Sequence, residues 1–331
     1  MTRQAVDLDL LIGEWRFALE AAQDALRAVR HDLPAAELRV RGQRLSDERV
    51  KTVRLLDALA RERSMKHFLV RLVSSPWESK RLLGLPADAE ACVFNVDGVL
   101  VASAAIHAEA WREIFDEFIE RRTEHTDVPF ASFSVGVDYP RHIHGKPRAE
   151  AIRGFLGTRG IALPDGSPDD SFEADTVYGL ANRKNRALLR LVDEQGVRAF
   201  EGSRLYLELA HDAQMRCAVV SGSTNAEVLL DRAHLRALID VCVDGNAVRA
   251  EGLRRKPAPD MLFAACRRLG ADPKRTVVFE TTPDGVAAGR AGGFELVVAV
   301  DRDGEAPLLR ARGADLVVAD LGELLERQLG V

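Results

Sequence analysis

The sequence predicts an α/β protein built on a doubly wound parallel sheet, and two observations lead to that fold class. From residue 91 onward, short apolar runs rich in β-branched residues alternate with stretches of helical periodicity. These runs are continuously apolar, which is typical of parallel strands that are covered by helices on both faces. The predicted strands are residues 92–94, 217–220, 276–279, 296–300 and 316–318.

The composition is that of a soluble globular protein. Hydrophobic residues make up 47% and charged residues 29% of 331 residues, enough for two domains or for one domain with a large insertion. The net charge of −5 gives no reason to expect a nucleic-acid or anionic-membrane partner. No apolar run approaches the roughly 18 residues of a membrane span, and the N-terminus lacks the pattern of a signal peptide. We therefore expect a cytoplasmic protein.

The four cysteines predict neither a disulfide framework nor a metal site, because none of them forms a CxxC pair. Cys92, Cys217 and Cys242 lie in apolar, strand-like runs, where a reduced and buried thiol is expected.

Residues 1–88 are predicted to form an N-terminal helical extension. Apolar residues such as Leu11, Trp15 and Ala18 recur at three- and four-residue steps, and Ser46 is a good N-cap for a second helix. Two interpretations stay open. The extension is either an appendage packed on the main domain or an arm for self-association or for binding a protein partner.

Between the first two predicted strands lie more than a hundred residues that read as mostly helical. Such a length is too great for a simple crossover connection. We therefore predict a helical cap over residues 115–199, inserted into a core formed by residues 89–114 and 200–331.

Polar residues cluster where the predicted strands end. Asn95 and Asp97 follow the first strand, Ser221 and Gly222 follow the second, and Glu280 follows the strand at 276–279. In open α/β sheets ligands bind at the carboxyl ends of the strands, so these residues predict a binding site.

These segments resemble the motifs of the haloacid dehalogenase superfamily, in particular its β-phosphoglucomutase-like branch. The run 95–100, Asn-Val-Asp-Gly-Val-Leu, is similar to the first motif, whose pattern is Asp-x-Asp-Gly-Val-Leu. Ser221-Gly222-Ser223 resembles the second motif, Lys256-Pro257 the lysine motif, and the run 279–285 the acidic metal motif. The four motifs occur in the family's order over roughly residues 90–320, which implies a Rossmann-like core.

The resemblance also implies residue roles. Position 95 would hold the nucleophile and Asp97 the general acid and base, while Ser221, Gly222 and Lys256 would bind the phosphoryl group. Positions 280 and 281 would hold Mg²⁺. His107 and Arg148 resemble hinge or substrate-contacting positions of the cap.

Two departures from the family pattern fall on the same centre. Asn95 replaces the nucleophilic aspartate, and a neutral carboxamide is a very poor nucleophile. Thr281 removes one carboxylate from the metal site, although Mg²⁺ prefers anionic oxygen ligands. Asp284, one helical turn further on, could restore metal binding together with Glu280; alternatively, Glu280 simply pairs with Lys256. Mg²⁺, which active relatives use, is predicted to bind weakly or not at all.

The sequence thus predicts a protein with an impaired phosphoryl-transfer site that binds phosphate or a sugar phosphate, in a binding or regulatory role. The alternative is an active Mg²⁺-dependent phosphatase or phosphosugar mutase with a rearranged site, for example with water activated by Asp97. A scaffold that binds no phosphate is disfavoured by the retention of Ser221 and Lys256.

Overall fold

The structure is a computed structural model that describes residue 80, residues 82–123 and residues 131–329. The chain divides into two compact units, Met1–Ser74 and Ser75–Val331, and the described residues all lie in the second. The helices predicted over residues 1–79 lie outside the described residues.

Six parallel strands form one sheet in the described part of the chain. They are β1 (Ala91–Asn95), β2 (Arg216–Val220), β3 (Val241–Val243), β4 (Thr276–Glu280), β5 (Leu296–Val300) and β6 (Leu316–Val318). The sheet order is β3-β2-β1-β4-β5-β6, and every neighbouring pair is parallel. This confirms the predicted Rossmann-like fold class. Each of the five predicted runs forms a strand, and β3 is the strand-like run around Cys242.

Helices follow the strands and also fill the insertion after β1. They are α1 (Ala104–Thr123), α2 (Arg148–Thr158), α3 (Val177–Gln195), α4 (Glu201–Asp212), α5 (Ala226–Arg232), α6 (Gly245–Glu251), α7 (Asp260–Leu269), α8 (Pro283–Ala291), α9 (Ala306–Ala311) and α10 (Gly322–Leu329). A π-helical turn lies at Tyr139–Ile143, and 3₁₀ turns lie at Arg236–Leu238 and Pro273–Arg275.

The centre of the sheet is buried on both faces, as a continuously apolar strand requires. Phe94 of β1 stacks on Phe279 of β4 with ring centroids 4.6 Å apart, and Tyr206 of α4 meets Phe279 edge-on at 5.3 Å. The Tyr206 hydroxyl donates a hydrogen bond to the Leu83 carbonyl oxygen at 2.8 Å. Leu83 is itself fully buried, so the last residues of the predicted N-terminal extension pack with the core.

The insertion is only partly helical, because an irregular segment over residues 159–176 joins α2 to α3. Its helices share an aromatic core. Phe115 of α1 stacks on Trp111 and contacts Phe155 of α2, with ring centroids 5.2 and 4.2 Å apart. The predicted limit between core and cap at residue 114 falls inside the continuous helix α1.

Two chain segments connect cap and core, and they pair with each other. Val101 and Ala199 form an antiparallel bridge, and the Phe200 amide donates to the Leu100 carbonyl oxygen at 3.0 Å. Arg302, beyond β5, donates from Nε to the Gly98 carbonyl oxygen at 3.0 Å and lies 3.6 Å from the ring centre of Phe200. The hinge is thereby fixed against the loop that carries Asp97.

All four cysteines are free thiols. Cys92, Cys217 and Cys266 are buried, and burial raises the pKa of the Cys92 thiol well above its usual value. The prediction of a buried thiol is wrong for Cys242, which is partly exposed because β3 is an edge strand. Within the described part of the chain, no helix is both long and apolar enough to cross a membrane.

Phe279→Ala is expected to destabilise the core, because it removes the ring that joins Phe94 to Tyr206. The expected loss in the free energy of unfolding is about 3–5 kcal/mol, measured from the shift of the urea unfolding midpoint. Leu308→Ala is the matched control, since Leu308 is 39% exposed and its loss is expected to cost less than about 0.5 kcal/mol. Equal shifts for both variants would contradict the assignment of this aromatic cluster as the core centre.

Candidate functional site

The candidate site begins where β1 and β4 end side by side. Asn95 is the last residue of β1, and Glu280 is the last residue of β4. Gly98 turns the chain after β1 with a φ of +80°, a conformation that favours glycine. A Cβ at Gly98 would lie 2.9 Å from Thr281 Cγ2. Thr281 therefore packs directly against the turn of the first motif.

The Asn95 side chain is almost completely buried, and both ends of its carboxamide have a partner. Its Nδ2 donates a hydrogen bond to the Asp97 carbonyl oxygen at 2.9 Å. Its Oδ1 lies 3.5 Å from Lys256 Nζ. The amide is thus held by one hydrogen bond and faces a cation with its oxygen.

Glu280 is fully buried and forms an ion pair with Lys256 through Oε1. Its Oε2 accepts a hydrogen bond from the Thr281 amide at 3.3 Å. The carboxylate lies beneath the first turn of α8, where a Cβ at Gly285 would approach Oε2 to 2.1 Å. The side chain of Lys256 is only 15% exposed, and its ammonium pairs with Glu280 inside the site.

Ser221 follows β2 and lies beside the end of β1, because Asn95 is in register with Val220. It is buried, and its Oγ accepts a hydrogen bond from the Ser223 amide at 3.1 Å. Accepting this bond leaves the hydroxyl hydrogen of Ser221 free to donate to an anion. The Gly222 carbonyl oxygen accepts from Arg255 Nη1 at 3.2 Å.

Asp97 starts a chain of polar contacts that leads from the core into the cap. Ser103 Oγ donates to Asp97 Oδ1, and His107 Nε2 lies 3.4 Å from the same oxygen. On the far side of the imidazole, His107 Nδ1 lies 2.8 Å from Lys184 Nζ of α3. The structure thus places His107 next to Asp97 and adds Ser103 and Lys184 to the predicted site.

These contacts shift the pKa values of Asp97, His107 and Lys184. Burial raises the pKa of Asp97, but the contact with His107, the hydrogen bond from Ser103 and the charge of Lys184 together lower it to about 2. Burial and the nearby Lys184 ammonium lower the pKa of His107. Burial and the charge of Arg148 lower the pKa of Lys184 to about 7, against the opposing effect of Asp97. At neutral pH Asp97 is ionised and carries no proton to donate.

Arg148 bridges the cap and the core. From the first residue of α2 its Nη1 donates to Asn185 Oδ1 at 2.8 Å, and its Nη2 donates to Thr224 Oγ1 at 3.0 Å. Asn225 Nδ2 donates to the same Asn185 oxygen at 2.8 Å. Thr224 and Asn225 follow Ser221 closely in sequence, so Arg148 does lie near the predicted phosphate loop. Sequence reasoning missed Asn185, for which no motif provides a signal.

Asp284 is not brought together with the other predicted metal ligands. It is exposed and pairs with Arg312 at 3.5 Å. The helix that carries it begins at Pro283, with Thr282 Oγ1 accepting from the Gly285 amide at 3.1 Å. No group of three or more His, Cys, Asp or Glu side chains is placed to hold a metal ion among the described residues. Glu280 contacts Lys256 instead of a second carboxylate.

Comparison with known proteins identifies the family. The haloacid dehalogenase-like hydrolase profile matches residues 89–293, well over half of the chain. The β-phosphoglucomutases of Mycobacterium bovis and Mycobacterium tuberculosis are 45% identical to this chain over 253 residues, which cover 76% of this chain and 97% of each relative. The chain belongs to the haloacid dehalogenase-like hydrolase family. Its similarities lie in the β-phosphoglucomutase-like branch, as the motifs predicted.

Solved structures agree with this assignment. The putative β-phosphoglucomutase of Thermotoga maritima has a TM-score of 0.52 at 26% identity, covering 73% of this chain and 99% of its own. A haloacid dehalogenase family hydrolase of Deinococcus radiodurans, solved with bound phosphate and sodium, has a TM-score of 0.52 at 27% identity and covers 73% and 97%. The Thermotoga maritima phosphorylated carbohydrates phosphatase is 28% identical over 69% of this chain and 94% of its own length.

Lys184 is expected to titrate near pH 7, and Asp97→Asn is expected to lower that pKa further, because the Asp97 charge raises it. The measurement is NMR of lysine labelled with ¹³C at Cε, followed through a pH titration. Since the folded pKa is below the ordinary value of 10.5, the unfolded chain binds the extra proton between pH 7 and 10.5. Lys184 should therefore make stability rise with pH over that window.

The control for this titration is Glu109→Gln. Glu109 lies on the same helix as His107 but hydrogen-bonds to Gln195 at 3.1 Å on the solvent side. This change should leave the Lys184 titration in place. An unchanged Lys184 pKa in Asp97→Asn would show that the Asp97 carboxylate does not lie close enough to Lys184 to act on its charge.

Proposed function

We propose that this protein binds phosphate or a phosphorylated sugar in the family pocket without covalent phosphoryl transfer, and that it acts as a binding or regulatory protein. The observation that carries the proposal is the state of Asn95. Its carboxamide is neutral, buried and hydrogen-bonded to the Asp97 carbonyl oxygen, at the position where the family has its nucleophile.

The chemistry of the first step explains why Asn95 argues against covalent phosphoryl transfer. Covalent transfer requires a carboxylate oxygen to form a bond to phosphorus while the bond from phosphorus to the leaving oxygen breaks. A carboxamide oxygen carries no charge for that attack. Thr281 removes a second carboxylate from the same edge of the sheet, and the Asp284 carboxylate is paired with Arg312. We propose that the site binds Mg²⁺ weakly or not at all.

Several contacts support phosphate binding. Ser221 has a hydroxyl hydrogen to donate, and Lys256 brings an ammonium to the end of β4. Arg148 provides a second cation at Thr224, three residues beyond Ser221. The phosphorylated carbohydrates phosphatase and the β-phosphoglucomutases among the relatives favour a sugar phosphate as the ligand. We propose residues 1–88 as the extension. We also propose that the cap, predicted over residues 115–199, begins at the hinge near Val101 instead, which leaves residues 89–100 and 200–331 as the core.

An active Mg²⁺-dependent phosphatase or phosphosugar mutase remains the alternative, because Asp97 is retained and held by Ser103 and His107. In that alternative Asp97 would accept a proton from water. A pKa of about 2 makes it a weak base near neutral pH, where an efficient general base has a pKa close to the working pH. The geometry supports the binding function better.

The purified protein is expected to show no Mg²⁺-dependent hydrolysis of p-nitrophenyl phosphate or of hexose phosphates above the uncatalysed rate. Release of inorganic phosphate is the measurement, with Asp97→Asn as the matched control. Turnover at ordinary enzyme rates that disappears in Asp97→Asn would establish the active-enzyme alternative.

The double change Asn95→Asp, Thr281→Asp is expected to create a divalent-metal site, because it adds two carboxylates where β1 and β4 end. Titration calorimetry with Mg²⁺ should show at least about a tenfold gain in affinity over the unaltered protein, since Mg²⁺ prefers anionic oxygen ligands. Asp284→Asn in the unaltered protein is the control and should leave metal affinity unchanged. No gain in the double variant would mean that positions 95 and 281 do not share a metal site.

A further inference from the structure

Three oxygen positions at the ends of β1 and β4 could in principle ligate a metal ion. They are the Asp97 carbonyl oxygen, Asn95 Oδ1 and the Glu280 carboxylate. Each already faces a nitrogen donor of this chain. Asn95 Nδ2 donates to the Asp97 carbonyl oxygen at 2.9 Å, while Lys256 Nζ pairs with Glu280 and lies 3.5 Å from Asn95 Oδ1.

The charges of this group also fail to attract a divalent ion. Glu280 carries −1 and Lys256 carries +1, while Asn95 and Thr281 are neutral at their side chains, so these four side chains sum to zero. Mg²⁺ needs octahedral coordination by hard, preferably anionic, oxygens. The donor set therefore does not fit the metal that the family implies.

We propose that the Lys256 ammonium is the built-in cation of this site, so that the pocket binds phosphate without a divalent metal. The inference rests on the proposed function, because it assumes that phosphate binds here. An ammonium has three N–H donors. Contacts to Glu280 and Asn95 account for two of them, and the third is available to a phosphate oxygen.

The effect of neutralising Glu280 on phosphate affinity distinguishes this proposal from a metal site, because the two predict changes in opposite directions. If Glu280 held a metal, its neutralisation would release the metal and weaken phosphate binding. Here Glu280 is the counter-charge of Lys256 and competes with phosphate for the ammonium. Glu280→Gln raises the charge of the group from zero to +1, so phosphate should bind more tightly.

The test is titration calorimetry of inorganic phosphate into the full-length protein, in EDTA and in Mg²⁺. For the unaltered protein we expect Kd values that differ by less than about twofold between the two conditions. For Glu280→Gln in EDTA we expect a Kd at least about threefold lower than that of the unaltered protein. The Asn95→Asp, Thr281→Asp variant is the positive control for metal dependence, with phosphate binding that requires Mg²⁺.

Lys256→Met, made in the otherwise unaltered protein, should weaken phosphate binding by at least about tenfold, and Mg²⁺ should not restore the binding. This variant leaves the Glu280 charge buried and unpaired, which can prevent folding. The double variant Lys256→Met, Glu280→Gln removes both charges together and keeps the experiment decisive. It should fold and should bind phosphate more weakly than the unaltered protein, but less weakly than Lys256→Met, in which the unpaired Glu280 charge repels the anion.

Two results would overturn the built-in cation. One is phosphate binding to the unaltered protein that becomes about tenfold tighter in Mg²⁺, and the other is weaker binding in Glu280→Gln. Both leave the proposed binding function intact. Failure of the unaltered protein to bind phosphate in either condition would instead overturn the proposed function itself.

Discussion

Parallel strands deliver their carboxyl ends to a single edge of a sheet, and the position of β1 between β2 and β4 makes this constraint specific. Ser221, Asn95 and Glu280 come from distant parts of the chain, but the register of three neighbouring strands places them side by side. In open α/β sheets this is the point where the strand order reverses and ligands bind. The turn at Gly98, the packing of Thr281 and the reach of Lys256 all depend on that convergence.

The hinge depends on the same edge of the sheet. The cap leaves and re-enters the core through Val101 and Ala199, which pair with each other only a few residues from Asp97. His107 contacts the Asp97 carboxylate and Lys184 of α3 contacts His107, so a row of polar contacts leads from Asp97 into the cap. A change in cap position would alter the surroundings of Asp97, because Ser103 lies just beyond the hinge and His107 lies in the first turn of α1. The electrostatics of the site are therefore coupled to the cap through buried groups.

The fold could be predicted because its signal is local. Continuously apolar runs of three to five residues mark every strand of the sheet, and the polar residues that follow them mark the site. The exposure of Cys242 was missed because edge and central strands look alike until the sheet order is known. Asp284 was assigned a possible metal role from its spacing, but the Thr282 cap and Pro283 start a helix that directs it to Arg312.

The burial of Lys184 has a signal in the helical periodicity of the sequence. It lies in step with Leu180, Leu188 and Leu191, all buried on one face of α3. A lysine on such a face is rarely buried without a polar partner. The sequence therefore carries the signal for a buried ammonium, but it does not identify the partner. His107 precedes Lys184 by 77 residues, and only the packing of α1 on α3 brings their side chains together.

The charge balance of the site links its two departures from the family pattern. Aspartates at positions 95 and 281 would add two negative charges beside Glu280 and Lys256, and one divalent cation would neutralise both. With Asn95 and Thr281, those two charges are absent together, while the Glu280–Lys256 pair stays neutral. Replacing only the aspartate of position 281 would leave a carboxylate at the buried position 95 without a counter-charge when no metal is bound, and uncompensated buried charge is strongly destabilising. Under the proposed function, the neutral pair Asn95 and Thr281 is therefore the combination that leaves no uncompensated carboxylate at this edge of the sheet when no metal is bound.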